Sequence, residues 1–271
     1  MSANPNPNLA NANIPWQQSI LKGTSAYYSE LAGAGVLRPA WAEFVNRLPS
    51  TGLGEYLDGK KTALAKQIRD NGITYNVYAD HAQGTSRPWS LDLLPFIIDQ
   101  ADWAVLQAGV AQRAQLLNAM MGDVYGPREL LSKGLLPADL VYGHSGYLPQ
   151  MQDMQPPNKV WLHMVAFDLG RSPDGKWWVI THRMQAPSGL GYALENRLSI
   201  SRSFTRGFRE MHIQHLAGFY RDYIDGIRRL SPKGDSARIA LLTPGPYNET
   251  YFEHTYLARY LGISLVEGSD L

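Results

Sequence analysis

The chain has 271 residues, 44% of them hydrophobic, enough to bury a sizeable core in one large domain or two smaller ones. A formal net charge of +1 gives no compositional support to sequence-independent binding of nucleic acid through its phosphates. Cysteine is absent, which excludes disulfides, thiolate metal sites and cysteine nucleophiles and leaves His, Asp, Glu and Asn as metal ligands.

Residues 1–14 are rich in Asn, Pro and Ala without periodicity, which predicts a disordered leader. They carry no basic segment followed by an apolar core, and no run anywhere approaches the roughly 18 apolar residues of a membrane span. The expectation is a soluble cytoplasmic protein without a membrane partner. From Trp16 to Asp70 the apolar residues fall at helical spacing, broken at Gly33-Ala34-Gly35 and at Pro49-Ser50-Thr51-Gly52, which predicts two or three helices. Asn71-Gly72 stops the last of them, and Thr74 to Tyr78 alternates as a short strand. A long helix is expected from about Asp99 to Met121, with Trp103, Leu106, Val110, Leu117 and Met121 on one face, and a short one after Tyr125-Gly126-Pro127.

Val160 to Phe167 reads as a buried strand that pairs, through the Asp174-Gly175 turn, with Trp177 to Thr181 in an antiparallel hairpin. Ser203 to Leu230 is expected to be helical. Lys233-Gly234-Asp235 marks a boundary. Beyond it Arg238 to Leu242, Tyr251 to Leu261 and Ile263 to Val266 form a strand, a helix and a strand, a βαβ unit. One helix and two parallel strands cannot cover both faces of a sheet, so the natural protein is expected to continue past Leu271. The fold class is therefore α/β with mixed α+β character: a helical N-terminal region, an antiparallel hairpin with helices, then the start of a Rossmann-like unit.

Asp168 to Arg197 holds the candidate site. Asp168, Arg171, Thr181, His182 and Arg183 lie at strand ends of the hairpin, where charged side chains can hold phosphate and its cation; a surface ion-pair network explains them equally well. Pro187-Ser188-Gly189 offers unhindered backbone N–H groups to an anion, against an ordinary tight turn. Glu195-Asn196-Arg197 combines hard oxygen ligands suited to Mg²⁺ with a guanidinium suited to phosphate, against a helix cap at Asn196 or a buried ion pair. Arg202 and Arg206 follow. Gln112, Arg113 and Asp123 flank a helix end from which they could reach a ligand, while His212 and His215 share a helical face and suit packing better than metal. Thr243 to Glu249 follows a strand and precedes a helix, the edge at which open α/β sheets bind ligands, although two prolines around Gly245 also suit a rigid turn.

Four segments in series, Gln112 to Gly126, Phe167 to Val179, Gln185 to Arg197 and Leu241 to Leu271, resemble the circularly permuted ATP-grasp proteins of type 2, some of which carry the label glutathionylspermidine synthase. The resemblance runs from about residue 70 onward. It implies residues 15–232 as a helical region plus a permuted ATP-grasp half, and 233–271 as the start of a parallel α/β domain. It also implies a ligase scaffold in which ATP with Mg²⁺ phosphorylates a small-molecule or peptide carboxylate and an amine attacks the acylphosphate. On that reading Asp168 and Glu195 are metal ligands, and Arg171, Arg183 and Arg197 catalytic cations on phosphate or carboxylate. Ser188, Gly189, Asn196 and Arg202 contact the nucleotide.

Many ATP-grasp strands end in a Glu-x-Asn metal pair, and some type 2 relatives have Glu-Asp-Asn where this chain has Thr181-His182-Arg183. Thr and Arg cannot replace a carboxylate and an amide carbonyl as Mg²⁺ ligands. Either Glu195 and Asn196 take over, or the branch has become a non-catalytic nucleotide- or peptide-binding module; an interaction scaffold with structural arginines is the third reading.

Overall fold

The structure, a computed structural model, describes residues 27–75 and 87–271. The proposed leader and residues 76–78 of the proposed first strand lie outside the described residues. The chain divides into two compact units: one comprises residues up to 98 together with 188–271, the other 99–187. Helices and small sheets mix in an α/β arrangement consistent with an ATP-grasp-like fold.

In the discontinuous unit, β1 (Ala32–Gly33) and β2 (Val36–Leu37) make a minute hairpin over the Gly33-Ala34-Gly35 break, followed by α1 (Pro39–Val45) and α2 (Leu53–Asp70). Helix α2 ends where Gly72 takes φ +62° and the Ile73 N–H reaches back to the Ile68 carbonyl at 3.0 Å. Thr74 then bridges Pro88 antiparallel. After residue 188 come α6 (Leu190–Ser203), α7 (Thr205–Glu210), α8 (Ala217–Arg228), β5 (Ala240–Leu242), α9 (Tyr251–Leu261) and β6 (Ser264–Val266); the elements of the other unit, α3–α5 and β3–β4, precede them in the chain. Strands β5 and β6 pair in parallel, Leu241 opposite Leu265, which is the expected βαβ unit.

The core of this unit joins distant segments. Trp41, Phe44, Leu64, Ile68, Ile73 and Leu93 pack with Phe204, whose ring meets Phe44 edge-on at 5.1 Å. A second cluster holds Leu194, Tyr220 and Leu257. The expected continuous helix from Ser203 to Leu230 is instead broken twice, at Phe204 between α6 and α7 and at His212, which takes φ +52°.

In the continuous unit, α3 (Gln100–Val124) is capped by Asp99, whose carboxylate accepts from the Asp102 N–H at 2.8 Å. Leu106 and Val124 of α3 are buried, while Trp103 stays 45% exposed. The short α4 (Glu129–Ser132) and α5 (Ala138–Tyr142) follow. Tyr147, Tyr125 and Trp161 form a three-ring stack with centroids 5.3 and 5.2 Å apart. The hairpin pairs β3 (Ala166–Arg171) with β4 (Trp177–Arg183) antiparallel, with a bulge after Asp168. Strand β3 begins later than its apolar sequence predicts because the Asn118 side-chain oxygen takes the N–H groups of Trp161 and Leu162, at 2.7 and 3.2 Å, away from any ladder. Among the described residues no helix is long and apolar enough to cross a membrane.

Candidate functional site

Each unit holds part of the residue set marked by the sequence. On the hairpin, Asp168 faces Thr181 across the ladder, and Arg183 lies two residues further along the same face. Thr181 Oγ1 donates to Asp168 Oδ2 and Arg183 to Asp168 Oδ1 at 3.0 Å, with both charged side chains roughly half exposed. The Thr181 hydroxyl, with Arg183 adding to it, holds the Asp168 carboxyl below its ordinary range. Both oxygens of Asp168 are thus engaged.

Arg171 is elsewhere. It sits at the turn end of β3, opposite Trp177, three residues from Asp168 and so on the other face. Its guanidinium pairs with Asp102 of α3, donates to the Gly175 carbonyl at 3.1 Å and lies over the Trp177 ring at 4.2 Å. That face of the hairpin is tied to α3 a second time by Arg113 and His182, 3.3 Å apart. Asp123, at the end of α3, caps α4 by accepting from the Glu129 and Leu130 N–H groups, both at 2.9 Å.

In the discontinuous unit the Ser188-Gly189 segment leads into α6, with Gly189 at φ +109° in the capping position. The anion it takes is internal. Glu253, 2% exposed, accepts from the Gly189 N–H with both oxygens, at 2.8 and 2.9 Å, and from the Gly191 N–H at 3.0 Å. Glu253 also lies in the first turn of α9, so two helix N-termini converge on one carboxylate. The helices approach so closely that a Cβ at Gly191 would stand 2.6 Å from Glu253 Cβ. The sequence contained a signal for Glu253: it shares the Leu257 face of α9, an acid on an apolar stripe.

Glu195, Asn196 and Arg197 are successive residues inside α6, not a cap, so they point about 100° apart. Glu195 is 3% exposed and accepts from Ser199 Oγ at 2.9 Å, and Gln67 of α2 donates to that same Ser199 oxygen at 2.9 Å. Burial first, and the hydrogen bond to Glu195 second, push the Tyr256 hydroxyl well above its ordinary pKa. Asn196 is exposed. Arg197 is half-buried, which lowers its pKa, and donates to the Gln214 carbonyl at 3.0 Å. Arg202, near the other end of α6, is roughly 20 Å along the helix from Gly189. The structure therefore gathers Asp168, Thr181 and Arg183, and gathers Glu195 with Ser199 and Gln67. It does not bring Arg171 to Asp168 or Arg202 to Gly189. Among the described residues no three His, Asp or Glu side chains converge as metal ligands.

Residues 95–271 match the circularly permuted ATP-grasp type 2 family, and the chain belongs to that family. An uncharacterized protein of Synechocystis sp. is 38% identical over 201 residues, 74% of this chain and 42% of its own length. An uncharacterized protein of Mycobacterium tuberculosis is 35% identical over 258 residues, 92% of this chain and 29% of its own, and a second from that organism is 32% identical over 238 residues. The chain spans less than half the length of these relatives.

Proposed function

We propose that this chain supplies part of an ATP-dependent carboxylate–amine ligase that works through an acylphosphate, with small-molecule or peptide carboxylates and amines as substrates. The observation that carries the reading is the family match across residues 95–271. In this reading Arg183, half exposed on the hairpin though paired with Asp168, and Arg197, half-buried on the Gln214 carbonyl, are the cations that meet phosphate or carboxylate.

The residues present do not by themselves fit Mg²⁺. Asp168 is occupied by Thr181 and Arg183, Glu195 is enclosed by core contacts, and hard-cation sites need several converging oxygens. The Asp168–Arg183 pair favours a second reading, a nucleotide- or peptide-binding module whose metal site has degenerated. Titration calorimetry with ATP, with and without Mg²⁺, tests both. Binding accompanied by ADP release across a panel of carboxylates and amines supports the ligase. Binding with no turnover selects the module, and no binding removes both.

A further inference from the structure

A cleft of about 230 Å³ opens between α1, α2 and the α6–α7 junction, in the helical part of the discontinuous unit and within none of the groups described above. Its floor is apolar, with Phe44, Leu48 and Phe204 at 4, 9 and 6% exposure. Its rim is cationic, formed by Arg47, Lys60 and Arg206. The hydroxyls of Ser203 and Thr205, which also line it, already donate to the backbone carbonyls of Ser199 and Arg202. Among the lining side chains, the rim cations and Tyr56 are the donors left to greet a ligand.

Those donors are incompletely used. Arg47 spends its terminal nitrogens on the Glu43 carbonyl and carboxylate, at 2.6 and 2.9 Å. Its Nε–H is buried without a hydrogen bond, 3.4 Å from Glu210 Oε2 but out of line. That nitrogen has almost no accessible surface, so the donors open to a ligand are those of Lys60 and Arg206. Arg206 uses Nε on Glu210 at 3.0 Å, and Lys60, lying 5.5 Å from the Tyr56 ring, makes no ion pair among the described residues. Three cations face two acids, Glu43 and Glu210, leaving one positive charge uncompensated. The cleft is smaller than the roughly 300–1,000 Å³ of sites for drug-sized ligands.

We propose that this cleft binds a small organic monocarboxylate, its oxygens on Lys60 and Arg206 and its short apolar body over Phe44 and Phe204. The site is independent of the ligase reading and of ATP. The test uses the full chain with 3-phenylpropanoate as probe, followed by saturation-transfer NMR and calorimetry at low salt, with 3-phenylpropanamide and inorganic phosphate as separate arms. Saturable binding of the carboxylate, not matched by the amide, and weakened about tenfold by Lys60→Gln or Arg206→Gln, is the expected result. Arg228→Gln, which removes a cation paired with Asp225 on α8, should leave it unchanged. Absence of binding, equal binding of the amide, binding of phosphate alone, or affinity indifferent to both rim substitutions overturns the proposal. Lys60 is a surface side chain, so its variant keeps the test open should Arg206→Gln unfold.

Discussion

Glu253 shows how one side chain can decide the fate of a loop. The Ser188-Gly189 segment has the open backbone expected of an anion site, and its N–H groups do hold an anion, but one contributed by α9. Glu253→Gln can keep an oxygen where Oε2 accepts from Gly189 and Gly191, but its NH₂ then takes the place of Oε1 against the Gly189 N–H. It should cost about 2–3 kcal/mol in chemical denaturation, the scale of hydrogen bonds to a charged group. Gly191→Ala attacks the same junction through volume: its methyl would collide with Glu253 Cβ and Cα, at 2.6 and 3.0 Å, forcing α6 and α9 apart. A loss of about 1–3 kcal/mol is expected, and a variant as stable as the parent would show that the junction yields freely. At this scale the sequence was half legible. The loop's capacity for an anion followed from its glycines, but the identity of that anion depended on a residue 62–64 positions away, which no local pattern links to it. Asp168 and Arg183 were legible as neighbours because strand pairing through a short turn fixes their register; Arg171 was misplaced because a three-residue step on a strand changes face.

Among elements, the loop between β5 and α9 is held by a histidine. Thr243 Oγ1 accepts from the Gly245 N–H at 3.1 Å and lies 2.9 Å from His254 Nδ1, so its proton goes to that nitrogen. His254 Nε2–H then faces Thr250 Oγ1 at 3.3 Å, a tautomer assigned from these partners. The fold holds the neutral ring, and burial lowers its pKa from 6.5, with Glu253 opposing more weakly. As pH falls, the unfolded chain takes up this proton before the folded one does. Stability from this residue is therefore full above about pH 7 and is lost as pH falls below the ordinary imidazole value toward the lowered one. Urea midpoints measured between about pH 7 and pH 5 should fall less steeply for His254→Gln than for the parent, and parallel slopes would remove His254 as their cause. The βαβ unit itself was readable because its strands, turn and helix are contiguous. The start of β3 and the breaks in Ser203 to Leu230 were not. The first depends on Asn118 of α3, and the break at Phe204 on that ring turning into a core built by α1 and α2.

At the scale of the whole molecule, a linear reading places boundaries where composition changes, whereas one unit here takes its residues from both sides of 99–187 in the sequence. Its main core consists of Trp41, Phe44, Leu48, Leu64, Ile68, Ile73 and Leu93 from the first segment, and the second segment contributes Phe204, with Tyr192, Ile200, Met211 and Phe252 packed around them. Removing the first segment strips Phe204 of its edge contact with Phe44 and leaves Ser199 without Gln67 above the buried Glu195. A polypeptide of residues 188–271 should therefore retain helical signal yet melt without a sharp transition, because its apolar faces have lost the surface they bury against. Adding a second polypeptide of residues 27–98 should restore a cooperative, concentration-dependent transition, since association then stands in for the missing chain connection. Cooperative melting of 188–271 alone would mean that the Leu194, Tyr220 and Leu257 cluster suffices as a core, and that the shared cluster only reinforces it.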